Sequence, residues 1–433
     1  MIRGAACVVR LLATPRLSGW VAGTSTFGDA RDLWRRWRQG ESLLDGPHIG
    51  EYERQLSEYY GGLEAITFGA GRMALYAILK AMNLRDGDEI ILPGYTCVVT
   101  SNAIRFAGLK PVYVDVLRED ANMTPELVEK ALTPRTRAIL AQHTFGIACN
   151  LPALMDISRR HGVPIIEDCA HAIGARWDEQ LLGRFGIAAF FSTEGSKMFS
   201  TERGGFATTG DAEFARRIRA IQADAAFRSE ASERACLLRW CYRAALLGNP
   251  WLFPRVQAIE AVLRYFRFPG LDDIFNYSQK DYDDELAGRR VNPYPARLPN
   301  LMAYAGLLQL RRLEEDLAHR RMLAAFLEER LPSLGARVAQ YDHRRVAPSW
   351  VRFPFVVEDR AAWAATLRAA HLVPGVWLDD PIHPKGSDWK QAGYVRGSCP
   401  NGEFLGEHIL NVPVDRRVSI GRLQRWLGMC DHG

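Results

Sequence analysis

AILAQHTF (138–145) and VPIIED (163–168) are short apolar runs rich in branched side chains, with a helical stretch between them. Neither run alternates polar with apolar residues, so neither suits a sheet with one wet face. Continuous apolar strands separated by helices suit a mostly parallel sheet covered on both faces. The rhythm extends in both directions. Upstream, AITF (65–68), DEIILP (88–93) and PVYVDV (111–116) read as strands, with GRMALYAILKAM and TCVVTSNAIRFAG as helices. Downstream, GIAAFFS (186–192) and GGFATTG (204–210) add two strands joined by a loop. The pattern predicts a large α/β domain whose chemistry lies at the carboxyl ends of its strands.

Around this domain the pattern changes. Residues 223–296 read as a helical insert, aromatic and basic, with a turn at Gly248-Asn249-Pro250. LMAYAGLLQLRRLEEDLAHRRMLAAFLEERL (301–331) reads as one long amphipathic helix. From about Trp350, WVRFPFVV, AAWAATLRAA and HILNVPV predict a smaller C-terminal α+β domain. The expected division is an N-terminal arm (1–45), a large domain (46–222), the insert (223–296), and the long helix with the small domain (297–433). The first 28 residues carry three arginines and no acid. A transit peptide and an irregular arm both fit that composition, and the arm is the plainer reading.

Bulk composition narrows the class. The chain has 433 residues and a formal charge of +5, too mild for a nucleic-acid binder but suited to an anionic small substrate. Eight cysteines are scattered without a metal-ligand pair, so reduced thiols in a cytoplasmic protein are expected, with no metal.

The loop after GIAAFFS contains Lys197, one of only seven lysines against 48 arginines. Arginine keeps its proton, whereas a desolvated lysine loses it and can form a Schiff base with an aldehyde. Alone, a loop lysine is usually a solvated surface residue. Two further features point the same way. Asp168 ends a central strand, where a carboxylate needs a cationic partner. The pyridinium nitrogen of pyridoxal phosphate (PLP) would serve, since a carboxylate there keeps it protonated as an electron sink. In FGAGRMAL (68–75), Gly69 and Gly71 lie between a strand and a helix, where backbone N–H groups can cradle a phosphate. Ser192 adds a hydroxyl donor. Cys169, beside Asp168, reads as a core residue.

With these motifs in order, the sequence resembles the DegT/DnrJ/EryC1/StrS family, sugar aminotransferases of PLP fold type I. The likeness runs from GPHIGEYERQLSEYYG (46–61) to NVPVD (411–415), through GDEIILPGYTCVVTSNAI, IIEDCAHAIGA and RLPNLMAYAGLLQLRRLE. It implies a seven-stranded, mostly parallel sheet, a homodimer with sites at the subunit boundary, and PLP as cofactor. It further implies that Lys197 is the Schiff-base lysine and Asp168 the partner of the pyridine nitrogen. His171 would lie against the cofactor ring, and Gly71, Arg72 and Ser192 at its phosphate. Arg297 and His143 match family positions near the substrate, although a histidine like His143 is more often a satisfied core residue.

Three departures stand out. Cys97 occupies the family's ring-stacking aromatic position, with Tyr95 the nearest aromatic in sequence. Glu202-Arg203 replaces a Gly-Glu pair after the lysine. Pro295-Ala296-Arg297 replaces an Asn-Tyr-Arg segment, a loss for which Arg72 could compensate at the phosphate.

The implied activity is amino transfer from an amino acid, L-glutamate by resemblance, to a nucleotide-activated keto-sugar. A non-sugar or lipid-like carbonyl acceptor is a second reading. A non-catalytic, membrane-associated PLP-binding protein is a third. The insert's Trp240, Trp251, Phe253, Tyr265 and Phe266, interleaved with Arg234, Arg239, Arg243, Arg255, Arg264 and Arg267, suggests either a peripheral membrane contact or an active-site lid or dimer-packing element, the latter being the plainer reading.

Overall fold

The computed structural model describes residues 24–265, 279–375 and 377–430. The question of a targeting segment in residues 1–23 lies outside them, as do Phe266, Arg267 and the side chains of Arg264 and Tyr265.

Seven strands form the main sheet: β1 Glu64–Phe68, β2 Glu89–Pro93, β3 Lys110–Val114, β4 Thr136–Gln142, β5 Ile165–Asp168, β6 Ala188–Ser192 and β7 Gly205–Thr209. Their spatial order is β3-β2-β4-β5-β6-β7-β1. β7 runs antiparallel to both neighbours, and the other pairs are parallel. Successive side chains of a strand enter opposite cores. Ile91 and Ile139 belong to one buried cluster, Ile90 and Leu140 to the other. That two-sided burial is why the strands read as unbroken apolar runs. The expected fold, PLP fold type I with a mostly parallel seven-stranded sheet, is borne out.

Register then assembles one edge. Gln142 lies opposite Asp168, and Asp168 opposite Phe190. Ser192 pairs with Gly205, and Gly205 with Phe68. The ends of five strands therefore meet, and the Gly69-Ala70-Gly71 turn leaves β1 beside Ser192.

A smaller antiparallel sheet follows, with β8 Arg337–Val338, β9 Phe353–Val356 and β10 Ile409–Val412 in spatial order. Helices Arg360–Ala369 and Ile420–Cys430 cover it, through Phe355, Trp363 and Trp426. One segment of this C-terminal part returns to the large domain: Ile382–His383 pairs in parallel with Thr96–Cys97.

Two expectations change. The arm is not irregular throughout, because Phe27–Arg38 is a helix. Thr26 and Asp29 form a reciprocal capping box at its start. The predicted long helix is two, Asn300–Leu310 and Leu313–Arg330. At the break, Arg312 turns to Asp29 and to the Thr24 carbonyl, while Gln309 holds the backbone of Ser200. These tethers from other segments lie outside what helical periodicity can report.

The insert folds as helices Glu230–Tyr242, Phe253–Tyr265 and Gln279–Leu286, with a π-helical turn at Arg243–Leu247. Two of its aromatics point inward. Trp240 and Phe253 are buried, and only Trp251 among the insert's described aromatics is largely exposed. Among the described residues, no helix is long and apolar enough to cross a membrane.

Candidate active site

Lys197 stands in the loop between β6 and β7, half-buried. Desolvation pulls its amine below the usual lysine range, and nearby Arg352 adds to this. Glu194, Cys97 and Asp168 oppose the shift. Asp168 is buried at the end of β5, where one carboxylate oxygen accepts from the Ala170 N–H at 3.0 Å. Burial pushes its carboxyl up to about 6, despite that hydrogen bond and the charge of Lys197. A buried acid in this condition lacks a full countercharge, and a pyridinium would supply one.

The phosphate end is equally constrained. Helix Gly71–Ala81 starts without a side-chain cap, so its first N–H groups remain for an anion. A Cβ on Gly71 would fall 2.8 Å from the Phe191 carbonyl oxygen and 2.9 Å from the Ser192 Cβ. Only glycine lets the helix start press so closely on Ser192. An acid for the ring nitrogen, a desolvated lysine, and a glycine turn with a serine together fit PLP.

His171 packs with Phe145 (centroids 6.1 Å apart) and with Trp377 (4.8 Å, 31° between planes). Its Nδ1 accepts from the Phe145 N–H, which places the ring proton on Nε2. Burial, with Lys197 and His383 nearby, holds it well below the usual histidine range, so the ring is neutral. Cys97 is half-buried, and its electrostatic neighbours include Lys197, Glu285 and Arg72.

Other expected site residues are committed elsewhere. Arg72 directs its Nε to the buried carboxylate of Glu285 rather than to the glycine turn. Arg297 lies over the Phe227 ring and 3.4 Å from Asp45, while the neighbouring Ala296 carbonyl accepts from the Gly69 N–H. Tyr95 is fully buried, its hydroxyl donating to the Leu378 carbonyl at 2.8 Å. His143 is corrected from a substrate-facing residue to a core one. Its ring has no exposed surface and contacts Glu167 at 3.2 Å, and its Nδ1 accepts from the Cys149 N–H. His143, Glu167 and the buried Cys169 converge closely, but Glu167 already accepts from the backbone N–H groups of Gly183, Phe185 and Gly186.

The structure adds residues that sequence reading missed. Lys197 Nζ lies 4.2 Å from the Trp377 ring centroid, and the Arg352 guanidinium 5.7 Å from the same centroid. Lys197 and Arg352 line one small pocket with Arg320, Asp415 and Arg417. Burial, with Arg320 and Arg417 close by, pushes Arg352 down to about 10 although Asp415 opposes this. Asp379 holds His383 at 2.8 Å beside this group. The only sequence signal was a cluster of aromatic and ionisable residues in GVWLDDPIHP (375–384).

The two charges left unexplained after Lys197 also find partners. Glu202 pairs with Arg239 at 2.8 Å and with Arg243 at 3.1 Å, and Arg203 donates to Ser232 at 3.3 Å. All these partners come from the insert.

Comparison with known proteins gives the family. The model of the DegT/DnrJ/EryC1/StrS aminotransferase family matches residues 29–237 and 255–426. GDP-perosamine synthase of Caulobacter vibrioides is 30% identical over 327 residues, covering 75% of this chain and 73% of that protein. A DegT/DnrJ/EryC1/StrS aminotransferase from Brucella abortus superposes with a TM-score of 0.70 at 22% identity, covering 94% of this chain and 95% of the other. DesV of S. venezuelae, solved with a ketimine intermediate, gives 0.70 at 23% identity over 96% and 97%. The chain belongs to the DegT/DnrJ/EryC1/StrS aminotransferase family and is a PLP-dependent transaminase.

Proposed function

We propose that this transaminase moves an amino group from an amino acid, L-glutamate, to the keto group of a nucleotide-activated keto-sugar, in ping-pong order. The observation that carries the amino-acid half is the shared pocket of Lys197 and Arg352. An α-amino acid has its amine and carboxylate on one carbon, so it can offer the amine toward Lys197 while its carboxylate meets a cation. Arg320, Arg352 and Arg417 line this pocket together with Asp415, which sets guanidinium groups beside the lysine. The sugar half is supported by family membership and by the relative named GDP-perosamine synthase.

In this reading Asp168, Lys197, Ser192, His171 and the Gly71-Arg72 backbone hold PLP, which when bound supplies an electron sink for the carbon that loses its proton. Lys197, whose amine desolvation makes easier to deprotonate, takes that proton and returns it. Asp168 holds the ring nitrogen's proton, and His171 packs against the ring. The protein acts in the cytoplasm as a homodimer with its sites at the subunit boundary.

The test is a pair of half-reactions on PLP-loaded enzyme. Glutamate should discharge the visible cofactor band, and GDP-, UDP- or dTDP-keto-sugars should restore it. Arg352→Gln should slow the glutamate step at least tenfold and leave the sugar step within twofold. Restoration by long-chain keto compounds, but by no nucleotide sugar, would refute the sugar assignment. No response to any amino acid would refute amino transfer.

A further inference from the structure

The loop carrying Lys197 is closed on itself by backbone hydrogen bonds. The N–H of Thr193 donates to the Gly204 carbonyl, that of Gly195 to Glu202, and that of Thr201 to Thr193. Glu202 therefore faces Gly195, two residues before the lysine. Its backbone is left-handed, at φ 63°, a conformation that suits glycine and strains other residues. Such a residue persists only where its surroundings hold it.

The Glu202 N–H donates to the Ser200 Oγ at 3.0 Å, and Gln309 holds the Ser200 backbone. The insert supplies the rest. Arg239 and Arg243 take one carboxylate oxygen each of the buried Glu202. Arg243 also presses on the loop: a Cβ on Gly195 would fall 2.0 Å from its Nη1. Trp240, between them in sequence and buried, donates its Nε1–H to the Ser200 carbonyl at 2.9 Å. All three residues fall in 238–254, the interval between the two segments matched by the family model.

We propose that Arg239, Trp240 and Arg243 are positioning residues for Lys197. They hold Glu202 left-handed and Ser200 in place, and so fix where the loop presents its amine. The insert is a clasp on the cofactor lysine supplied by the same chain. The proposal rests on the assignment of Lys197 as that lysine, but its first test does not.

The first test is hydrogen–deuterium exchange on cofactor-free, full-length protein. Arg239→Gln and Arg243→Gln should speed exchange of residues 193–204 at least tenfold while residues 64–81 stay unchanged. The second test is the pH midpoint of the visible band in PLP-loaded protein. Glu202→Ala should shift that midpoint, because alanine keeps the strain and loses both arginines. Glu202→Gly should restore it, because glycine adopts φ 63° unaided, although exchange in 230–247 should rise. Arg239→Lys, which keeps the charge, serves if the glutamine variant does not fold. Unchanged exchange of 193–204 in both arginine variants would overturn the clasp, as would identical midpoints for Glu202→Ala and Glu202→Gly. A normal exchange response with no visible band would leave the clasp standing and count against the cofactor assignment.

Discussion

Asp168→Asn should make the cofactor-free protein more stable. The Asp168 carboxyl is pushed from its ordinary 3.8 up to about 6, mainly by burial. A carboxyl raised in the folded state binds more protons there than in the unfolded chain, so stability falls as pH rises between those two values. Above about pH 6 the full penalty applies, and at about 1.36 kcal/mol per pH unit it amounts to ~3 kcal/mol. Asparagine has nearly the same shape, carries no charge, and can still accept from the Ala170 N–H. The gain should be nearly full at about pH 8, and it should nearly vanish at about pH 3, where the acid is mostly neutral in both states. Urea denaturation followed by tryptophan fluorescence at the two pH values measures it. Addition of PLP should invert the ranking, because a pyridinium rewards an ionised carboxylate and leaves asparagine with no charge to match. A variant no more stable than wild type at pH 8, or equally stabilised at both pH values, would show that the buried carboxylate is not the liability this geometry makes it.

Gly71→Ala should preserve the fold but weaken PLP binding at least tenfold by equilibrium dialysis. Its Cβ would meet backbone at 2.8 Å, and overpacking of that kind costs about 1–3 kcal/mol. Glu167→Ala should be severe for a reason unrelated to chemistry. It strips three backbone donors, each worth about 1–3 kcal/mol when left buried, so the apparent Tm should fall well below that of Gly71→Ala. His143→Gln should alter stability more than turnover, since the ring has no exposed surface and is held by Glu167 and the Cys149 N–H; a large kcat loss at unchanged Tm would count against its core assignment.

The sheet was legible because its strands are buried on both faces, so their apolar runs mark themselves without reference to partners. Asp168, Lys197 and Ser192 were legible because each is chemically odd where it stands: an acid at the end of a buried strand, a lysine in an arginine-rich chain, a serine before that lysine. Trp377 and Arg352 were not. They reach the site through the C-terminal part, whose Ile382–His383 segment pairs with Thr96–Cys97, and no local pattern reports such a pairing. The break after Leu310 was hidden for a related reason, since the tethers of Arg312 and Gln309 lie far away in sequence. Glu202 shows the difference most sharply. Its identity was visible at once as a departure, but the residue alone says neither that its φ is positive nor that two arginines wait for its carboxylate. Cys97 belongs to the same class, because its register partner His383 lies in the loop that brings Trp377 to Lys197. Both departures sit where another part of the chain packs onto the large domain. What distinguishes this chain at the lysine is therefore carried by the insert and the C-terminal loop, and a comparison confined to the large-domain motifs would see only the losses.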